Sequence, residues 1–495
     1  MMRPSSTFSH TLDEIAEFLK IQNDSGGIRV TGVTSNSKGV RPGDLFVALP
    51  GSRVHGLDFA SQAIALGAVA ILSDRKLSQQ SIPSLVVNDP RAQLGGLANW
   101  FYGEPTRNLA VYGITGTNGK TTTTHLLFQI WQRNGIASGL IGTVGLQIGK
   151  EQFPAIHTTP EADELQSTFA AMFEKGARVI AMEVSSHALV QQRVLGTRFR
   201  ASGFTNLTQD HLDFHATMEN YFQAKRSLFQ RSLSERAFVT VDDEYGRRLA
   251  TEVASEFDDD LVTLSTVEAS ADWRYQSIVR LPTGFDLVIG GPNNISISGK
   301  FNLVGEHNLQ NLLLAVALAS DSGVGAREIE SALPYLTGAP GRLERVDAGQ
   351  PFSVLVDYAH TPDAVDRALL TARSISTGRV IAILGCGGDR DRSKRPLMGA
   401  TLNAKSDIPI FTSDNPRSED PQQIIDEMKS DLELKAQAEI IVDRKAAITK
   451  AISLATSGDV VIVLGKGHES GQEINGVKYP FSDQEVLREA LEGLK

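Results

Sequence analysis

The sequence predicts an α/β protein of three domains, in which the central domain is a doubly wound, mostly parallel sheet. First, 495 residues are too many for one hydrophobic core. Second, patterns typical of buried strands alternate with helical patterns from Leu109 onward. Third, turn-rich stretches at Glu104–Asn108 and Gly338–Gly341 divide the chain. We therefore expect a small α/β domain over residues 1–107, a phosphate-loop domain over 108–341 and a Rossmann-like α/β domain over 342–495.

Composition restricts the classes of function. Hydrophobic residues make up 41% of the chain and charged residues 21%, as in ordinary globular proteins. The formal net charge is −10 with dispersed cations, so we expect no nucleic-acid partner. No apolar run is long enough to span a membrane, the first residues lack the apolar segment of a secretory signal, and the single cysteine excludes an intrachain disulfide. We expect a cytoplasmic monomer without membrane insertion.

The N-terminal region contains the pattern of a small α/β unit. Residues 43–49 (Gly-Asp-Leu-Phe-Val-Ala-Leu) are typical of a buried strand. Residues 59–67 have a helical pattern that leads into a second apolar strand over 68–72.

The most informative segment is Gly113-Ile-Thr-Gly116-Thr-Asn-Gly119-Lys120-Thr121-Thr122. It follows an apolar strand, Leu109–Tyr112, and precedes a helical pattern, so its glycine-rich turn aims backbone N–H groups at a phosphate. Lys120 would reach the outer phosphates, and the Thr121 hydroxyl would bind Mg²⁺. A strict Walker A motif requires glycine at position 114, where isoleucine stands, and a purely structural strand–helix turn is the alternative. The segment predicts nucleotide binding.

Two further features of the central region carry candidate chemistry. The buried strand Val179–Glu183 ends in a carboxylate that could hold Mg²⁺ beside the γ-phosphate, or could simply cap the next helix. The segment Thr205–His215 concentrates Asp and His side chains, and Lys225 follows 14 residues after His211 in a helical pattern. From the residues alone, an ordinary satisfied histidine is as good an interpretation as a functional one.

Four buried strands of the C-terminal region each run into a polar loop. The strands are Phe352–Asp357, Val380–Leu384, Ile408–Thr412 and Val460–Leu464. The loops are Asp357–Pro362, Gly385–Arg395, Asp414–Arg417 and Gly465–Glu469. Because the carboxyl ends of parallel strands meet at one edge, these loops predict one binding face, whose arginines suit carboxylates or phosphates. A merely solvated face is the alternative for the charged run at 389–395.

Taken together, the motifs resemble the Mur ligase family, ATP-dependent enzymes that form amide bonds in peptidoglycan synthesis. The resemblance runs nearly end to end and is closest to the MurE type, which adds the third peptide residue to UDP-N-acetylmuramoyl-L-alanyl-D-glutamate. The glycine-rich loop is shared with folylpolyglutamate synthase. More specific are Thr158-Thr-Pro160, Glu183-Val-Ser-Ser-His187, Gln191-Gln-Arg193, Tyr358-Ala-His-Thr-Pro362 and Asp414-Asn-Pro-Arg417.

The resemblance implies a site for ATP and two Mg²⁺ ions. The residues it implies for ATP are Gly116, Thr117, Asn118, Gly119, Lys120, Thr121, Thr122, Asn308, Arg342 and Asp357. The residues it implies for metal are Thr121, Glu183, His211 and Lys225. Lys225 matches a lysine that the family carries as a carbamate (N6-carboxylysine), an anion that could help to hold a cation. The implied catalytic residues are Lys120, Glu183, His211 and Lys225.

The resemblance also implies sites for two other substrates. For the UDP-muramoyl dipeptide these are Ser35, Ser37, His157, Thr158, Thr159, Ser185, Gln191 and Arg193, with a further uridine contact at 52–54. Here the chain departs from the family, because Ser35-Asn-Ser-Lys38 replaces the usual Asp-Ser-Arg and His157 replaces a common Asn. For the incoming amino acid they are Arg390, Asp414, Asn415, Pro416, Arg417, Gly465 and Glu469.

The expected reaction is ATP-dependent addition of meso-2,6-diaminopimelate to the D-glutamyl γ-carboxylate through an acyl phosphate, with small molecules as the only partners. Arg417 favours diaminopimelate, because a guanidinium pairs with the distal carboxylate that lysine lacks. The same reaction with L-lysine or L-ornithine is the alternative. A folylpolyglutamate synthase-like ligase and a P-loop protein that only hydrolyses ATP are the more remote ones.

Overall fold

The computed structural model describes residues 2–6, 8–22, 26–51, 54–77, 81–281 and 284–494. Three main sheets of four, eleven and six strands follow one another along the chain, each packed against helices. The predicted α/β class, with a large and mostly parallel central sheet, is confirmed. Within the described residues, no helix has the length and apolar character needed to cross a bilayer.

The N-terminal sheet is parallel, with strand order β3-β4-β5-β6, beside a two-stranded pair β1-β2. Its first helix begins with a capping box, in which the Thr11 hydroxyl and the Glu14 carboxylate each bond the other residue's N–H group. The elements are β1 His10–Thr11, α1 Leu12–Leu19, β2 Arg29–Val30, β3 Gly32–Thr34, β4 Asp44–Val47, α2 Ala60–Ala65, β5 Ala70–Ser73, β6 Ser84–Val86 and α3 Pro90–Phe101, with short 3-10 helices at Gly56–Phe59 and Pro105–Arg107.

The central sheet has the order β10-β9-β8-β11-β7-β12-β13-β14-β15-β16-β17. Its strands are β7 Ala110–Thr115, β8 Ser138–Gly142, β9 Gly145–Ile148, β10 Glu151–Phe153, β11 Val179–Glu183, β12 Phe199–Phe204, β13 Ala237–Thr240, β14 Leu261–Ser265, β15 Trp273–Leu281, β16 Gly284–Gly290 and β17 Ser296–Phe301. Its helices are α4 Lys120–Arg133, α5 Ala162–Glu174, α6 Ser186–Val190, α7 Leu212–His215, α8 Met218–Arg226, α9 Glu244–Phe257, α10 His307–Asp321 and α11 Ala326–Ala332, with 3-10 turns at Asp258–Asp260, Pro292–Asn294 and Leu333–Tyr335.

The seven strands β8, β11, β7 and β12–β15 pair in parallel, whereas both ends of this sheet are antiparallel hairpins. The strands of these hairpins were not predicted from the sequence, and the reason is physical. The residues of β15 from Gln276 to Arg280 are exposed, so this strand lacks the continuous apolar run that marks a strand buried on both faces.

The C-terminal sheet has the order β18-β19-β23-β20-β21-β22, and only β18 is antiparallel to its neighbour. The elements are β18 Glu344–Arg345, β19 Ser353–Asp357, α12 Pro362–Ile375, β20 Val380–Leu384, α13 Lys394–Lys405, β21 Ile408–Phe411, α14 Pro421–Met428, β22 Glu439–Ile440, α15 Arg444–Leu454, β23 Val460–Leu464, the hairpin β24 Gly471–Ile474 and β25 Val477–Pro480, and α16 Asp483–Glu492. The four predicted strands are therefore parallel, and their polar loops share one edge, as predicted.

Candidate active site

Two adjoining clefts lie where the central and C-terminal sheets face each other. We call them the P-loop cleft, of about 250 Å³, and the C-terminal cleft, of about 590 Å³. The residues that line both are Thr158, Ser185, Asp210, His211, Tyr358 and His360. Because the clefts meet at these residues, ligands in the two clefts could react with each other.

The P-loop cleft is built on the turn between β7 and α4. Gly119 has φ +89° and Gly116 has φ +150°, values that side chains rarely allow. A Cβ atom on Gly116 would overlap the Thr205 hydroxyl, and one on Gly119 would overlap the Asn311 amide oxygen. Both glycines are therefore required by close packing, and helix α4 begins at Lys120 with its N-terminus beside the cleft.

Two lysine side chains converge on this turn. Lys120 Nζ donates to the carbonyl oxygens of Gly116 at 2.8 Å and Thr117 at 2.9 Å. Lys225 Nζ donates to the same Gly116 oxygen at 2.7 Å and lies 4.5 Å from the ring centre of Tyr221. Lys225 is buried, and burial, together with the charge of Lys120, lowers its pKa well below the ordinary lysine value. Among the residues that the structure describes, no carboxylate lies within hydrogen-bond distance of this amine.

The Glu183 carboxylate lies at the end of β11 beside the start of α4. It accepts hydrogen bonds from the Thr121 hydroxyl at 2.8 Å and from the Thr143 backbone N–H at 2.7 Å. Hydroxyl and carboxylate oxygens are ligands that Mg²⁺ prefers. Within the described part of the chain, no three His, Cys, Asp or Glu side chains are grouped to hold a metal alone. Nothing in the sequence around Thr143 had singled it out.

His211 lies between the two clefts, next to an ion pair that joins two domains. Its backbone is left-handed, with φ +52°, and burial lowers its pKa to about 3. Lys394, the first residue of α13, donates to the Asp210 carboxylate at 2.5 Å. Burial opposes the charge of Asp210, but the neighbouring His211, His360 and Lys394 hold its pKa below the ordinary range. Lys394 stood in the charged run of the sequence, and only the fold shows that it contacts the central domain.

The opposite wall of the P-loop cleft comes from the C-terminal domain and α10. Arg342 lies 4.7 Å over the Tyr358 ring, a cation–π contact. Asp357 accepts from the Leu343 backbone N–H at 2.7 Å, and burial raises its pKa. All the residues predicted for ATP line this cleft except Gly116, whose carbonyl oxygen receives the two lysines. Asn308 lines it from the start of α10.

Most of the residues predicted for the UDP-muramoyl dipeptide lie at the C-terminal cleft or directly beneath it. Those that line the C-terminal cleft are His157, Thr158, Ser185, Gln191 and Arg193. Thr159 is fully buried beneath them: its hydroxyl donates to the Glu183 carbonyl at 2.9 Å and accepts from the Ser185 N–H at 3.0 Å. Thr159 therefore supports the site from behind, through backbone contacts.

Ser35 and Ser37 lie apart from both clefts, in the turn that follows β3 of the N-terminal sheet. The Ser35 N–H and hydroxyl donate to Asp163 at 2.8 and 2.9 Å, and the Ser37 hydroxyl donates to Gln62 at 3.2 Å. Burial raises the pKa of Asp163 to about 6. Of the further uridine contact expected at 52–54, residues 52 and 53 lie outside the described residues.

The C-terminal cleft gathers the loops that follow β20, β21 and β23. The predicted amino-acid residues that line it are Arg390, Asp414, Asn415, Arg417, Gly465 and Glu469. Pro416 does not line the cleft. Arg417 has φ +53° and donates to the Gly388 carbonyl at 2.6 Å, and its Nε lies 3.3 Å from the Glu473 carboxylate on β24. Glu473 is an addition that the sequence pattern did not reveal.

A buried ion pair holds two of these loops together from below. Arg444 and Asp483 are fully buried and pair at 2.7 Å. Arg444 also donates to the carbonyl oxygens of Ser413 at 3.3 Å and Leu464 at 2.9 Å, the residues just before the two loops. The relative position of the loops at 414–417 and 465–469 is thus set by one guanidinium.

Comparison with known protein families gives a consistent result over the whole chain. Residues 29–102 match the Mur ligase family catalytic domain, residues 114–319 the Mur ligase middle domain, and residues 341–467 the Mur ligase glutamate ligase domain. Two curated relatives are named UDP-N-acetylmuramoyl-L-alanyl-D-glutamate–2,6-diaminopimelate ligase. The Streptomyces coelicolor protein is 45% identical, covering 99% of this chain and 98% of its own. The Aquifex aeolicus protein is 44% identical, covering 94% of each chain.

Solved structures with a similar fold also include Mur ligases. A structure with the same ligase name has a TM-score of 0.70 and 31% identity, covering 99% of both chains. MurF from Thermotoga maritima in complex with ADP has a TM-score of 0.63 at 20% identity, covering 93% of this chain and 97% of its own. Folylpolyglutamate synthase from Mycobacterium tuberculosis has a TM-score of 0.62 at 17% identity, but covers only 76% of this chain and 92% of its own. The last two likenesses concern the fold alone.

Proposed function

The chain belongs to the Mur ligase family, and from this membership we propose that it joins meso-2,6-diaminopimelate to UDP-N-acetylmuramoyl-L-alanyl-D-glutamate with consumption of ATP. One observation carries the proposal: a nucleotide-type P-loop cleft and a cleft rich in paired charges meet at shared residues. The full-length relatives named for this reaction support it. Because ATP and UDP-linked precursors are cytoplasmic metabolites, the enzyme would act in the cytoplasm, in peptidoglycan synthesis.

The three domains would divide the substrates among them. Residues 1–107 would hold the UDP end, residues 108–341 ATP, and residues 342–495 the amino acid. ATP would contact the turn at 116–122 together with Asn308, Arg342 and Asp357. All of these residues line the P-loop cleft, with the exception of the buried Gly116. The dipeptide would extend past Ser185 and Arg193 into the C-terminal cleft.

The first chemical step would give the substrate a usable leaving group. A carboxylate does not react with an amine, because its leaving group would be oxide. Phosphoryl transfer from ATP to the D-glutamyl γ-carboxylate forms an acyl phosphate. Two anions must approach each other in this step, so Lys120, beside the start of α4, would neutralise charge on the transferred group.

In the second step, the protein needs only to position the two reactants. The incoming amino group attacks the acyl phosphate, and the tetrahedral intermediate collapses to an amide and inorganic phosphate. No protein nucleophile is required. The site must exclude water, and the Lys394–Asp210 pair, together with the 3.1 Å bond from the Asn118 amide to Asp363, holds the C-terminal domain against the central one.

Magnesium fits the residues present. Thr121 and Glu183 would hold one ion, and His211 with carboxylated Lys225 would hold a second. Bound Mg²⁺ would supply charge neutralisation for phosphoryl transfer. The chain's own contribution is two oxygen ligands: the Thr121 hydroxyl in the first turn of α4 and the Glu183 carboxylate at the end of β11, which the Thr143 N–H keeps oriented.

Carboxylation of Lys225 is supported by its surroundings. Forming a carbamate requires a neutral amine that attacks CO₂, and the depressed pKa of Lys225 favours the neutral form. Since Lys225 and Lys120 donate to one carbonyl oxygen, a negative Lys225 carbamate would also relieve repulsion between two cations.

For the amino acid, Arg417 supports diaminopimelate over L-lysine and L-ornithine. Its guanidinium lies on the wall of the C-terminal cleft and would pair with a distal carboxylate. Glu473 beside it, and Glu469 across the loop, could receive the distal ammonium that diaminopimelate also carries. An amino acid without a distal carboxylate would leave Arg417 without a substrate partner.

The test is phosphate release from ATP with a panel of amino acids, with and without the UDP-muramoyl dipeptide. We expect release only when the dipeptide and diaminopimelate are both present, and formation of the UDP-muramoyl tripeptide by mass spectrometry. Release without the dipeptide would support the ATP-hydrolase alternative. Release with folate and glutamate would support a folylpolyglutamate synthase-like activity. Equal use of lysine would overturn the amino-acid assignment alone.

A further inference from the structure

A fully buried lysine, Lys466, lies beneath the C-terminal cleft and has no part in the mechanism above. Its side chain is 0% exposed. The ammonium donates to the Asn415 amide oxygen at 3.0 Å and to the Glu469 carboxylate at 3.0 Å, and it lies 3.6 Å from the Asp414 carboxylate. One buried cation thus contacts three side chains that line the cleft.

The contacts around Lys466 leave the Asn415 amide one orientation. Its oxygen accepts from Lys466 Nζ and from the Glu473 backbone N–H at 2.9 Å. Its nitrogen donates to the Glu469 carboxylate at 2.7 Å. Turning the amide over would place an N–H group against the lysine ammonium, which has no acceptor. Glu469 is therefore held by two donors on one carboxylate oxygen, and among the described residues no other side chain donates to its carboxylate.

The ionisation of Glu469 and Asp414 also depends on Lys466. Burial works against ionisation of Glu469, but Lys466 and Asn415 outweigh it and hold the pKa of Glu469 below its ordinary value. Burial raises the pKa of Asp414, and Arg444 and Lys466 oppose that rise. The other charged or titratable groups around these side chains are Asp483 beneath them, Cys386 beside Asp414, His468 and Tyr358 beside Glu469, and Arg390, Arg417 and Glu473 at the rim.

We propose that Lys466 is a positioning residue of the amino-acid site: its buried ammonium orients Asn415 and Glu469 to receive an ammonium group of the incoming diamino acid. The inference rests on the proposed function. It predicts a specific loss in binding of the amino acid, because ATP and the dipeptide contact other walls of the two clefts.

The experiment compares Lys466→Met, which keeps the length but removes the charge, with Lys466→Arg, which restores it. Lys445→Met, an exposed lysine paired with Glu489 on the surface, is the matched control. For Lys466→Met we expect KM for diaminopimelate to rise between about 10- and 100-fold, the range for a lost hydrogen bond to a charged group, with KM for ATP and the dipeptide nearly unchanged. Lys466→Arg should recover part of the loss, and Lys445→Met should match wild type.

The pH profile separates positioning from a general loss of structure. Without Lys466 the Glu469 pKa should rise, so that Glu469 becomes protonated as pH falls and no longer attracts an ammonium. KM for diaminopimelate should then climb from pH 9 to pH 6 more steeply in Lys466→Met than in wild type or Lys466→Arg. Binding of a fluorescent ADP analogue monitors the fold of each variant.

The outcomes are distinct. An unchanged KM for diaminopimelate across this pH range would overturn the inference. A loss shared equally by nucleotide binding and all three KM values, without a change in pH profile, would make Lys466 purely structural and would overturn it too. If wild-type enzyme showed no amino-acid-dependent phosphate release, the proposed function would fail instead, independently of Lys466.

Discussion

Two buried lysines, one beside each cleft, have opposite surroundings. Lys225, next to the P-loop cleft, is bonded to one carbonyl oxygen and faces the like charge of Lys120. Lys466, beneath the C-terminal cleft, contacts an amide and two carboxylates. Burying a charge is costly unless it is paired. Burial and the charge of Lys120 therefore favour the neutral, reactive form of Lys225, whereas Lys466 has polar partners that it can orient.

The two clefts therefore differ in the source of the charges that balance their buried cations. The C-terminal cleft contains its balancing charges within its own loops, held by Lys466 and the Arg444–Asp483 pair. At the turn of the P-loop cleft, Lys120 and Lys225 donate to one carbonyl oxygen, and bound phosphates and a Lys225 carbamate would supply the balancing negative charge. Changes in the P-loop cleft should therefore alter catalysis, and changes in the C-terminal cleft should alter the choice and affinity of the amino acid.

The largest effect is expected at Lys225. Lys225→Ala should lower kcat about 1,000-fold, since it removes a group placed to stabilise charge in phosphoryl transfer. High bicarbonate should not restore activity, whereas short carboxylates such as acetate would restore part of it by replacing the carbamate. The direct measurement is the ¹³C NMR carbamate signal after growth or incubation with ¹³C-bicarbonate, present in wild type and absent in Lys225→Ala. Full activity of Lys225→Ala would refute carboxylation as a requirement.

The next largest effect should follow from Lys120→Ala. The lysine acts on charge that develops in the transition state, so kcat should fall about 100-fold or more while the thermal unfolding temperature stays close to wild type. Steady-state phosphate release and differential scanning fluorimetry measure the two quantities. An unchanged kcat would mean that the turn after β7 does not bind the transferred phosphate.

Arg417→Ala should change selectivity more than turnover. Losing the partner of a distal carboxylate should lower kcat/KM for diaminopimelate about 100-fold, because a truncated charge pair costs about 2–5 kcal/mol in binding. The already low kcat/KM for L-lysine should change little, so the two substrates should become nearly equal. Competition assays with both amino acids give the ratio directly. An Arg417→Ala enzyme that still prefers diaminopimelate as strongly as wild type would assign the selectivity to other residues.

The smallest effect is expected for the Lys394–Asp210 ion pair, which joins the C-terminal domain to the central domain. Lys394→Met and Asp210→Asn should each lower kcat/KM about 10-fold, and the double variant should be little worse than either single one, since both remove one interaction. A double-mutant cycle on kcat/KM measures the coupling. Fully additive losses would show that Lys394 and Asp210 act separately.

The local parts of this fold could be predicted from the amino-acid sequence. The glycine-rich turn, its preceding strand and the helix that begins at Lys120 depend on neighbours within about ten residues, so pattern and motif were sufficient to predict them. The four parallel C-terminal strands were equally clear, because strands buried on both faces are continuous apolar runs.

Which distant side chains meet could not be predicted from the sequence. Thr143 and Glu473 stand in ordinary surroundings and Lys394 stands in a charged run, and contacts across 40, 56 and 184 positions bring these three residues to the site. The same holds for the opposite surroundings of Lys225 and Lys466, because the sequence shows only that each residue is a lysine. The burial and the partners of each side chain are properties of the packed fold.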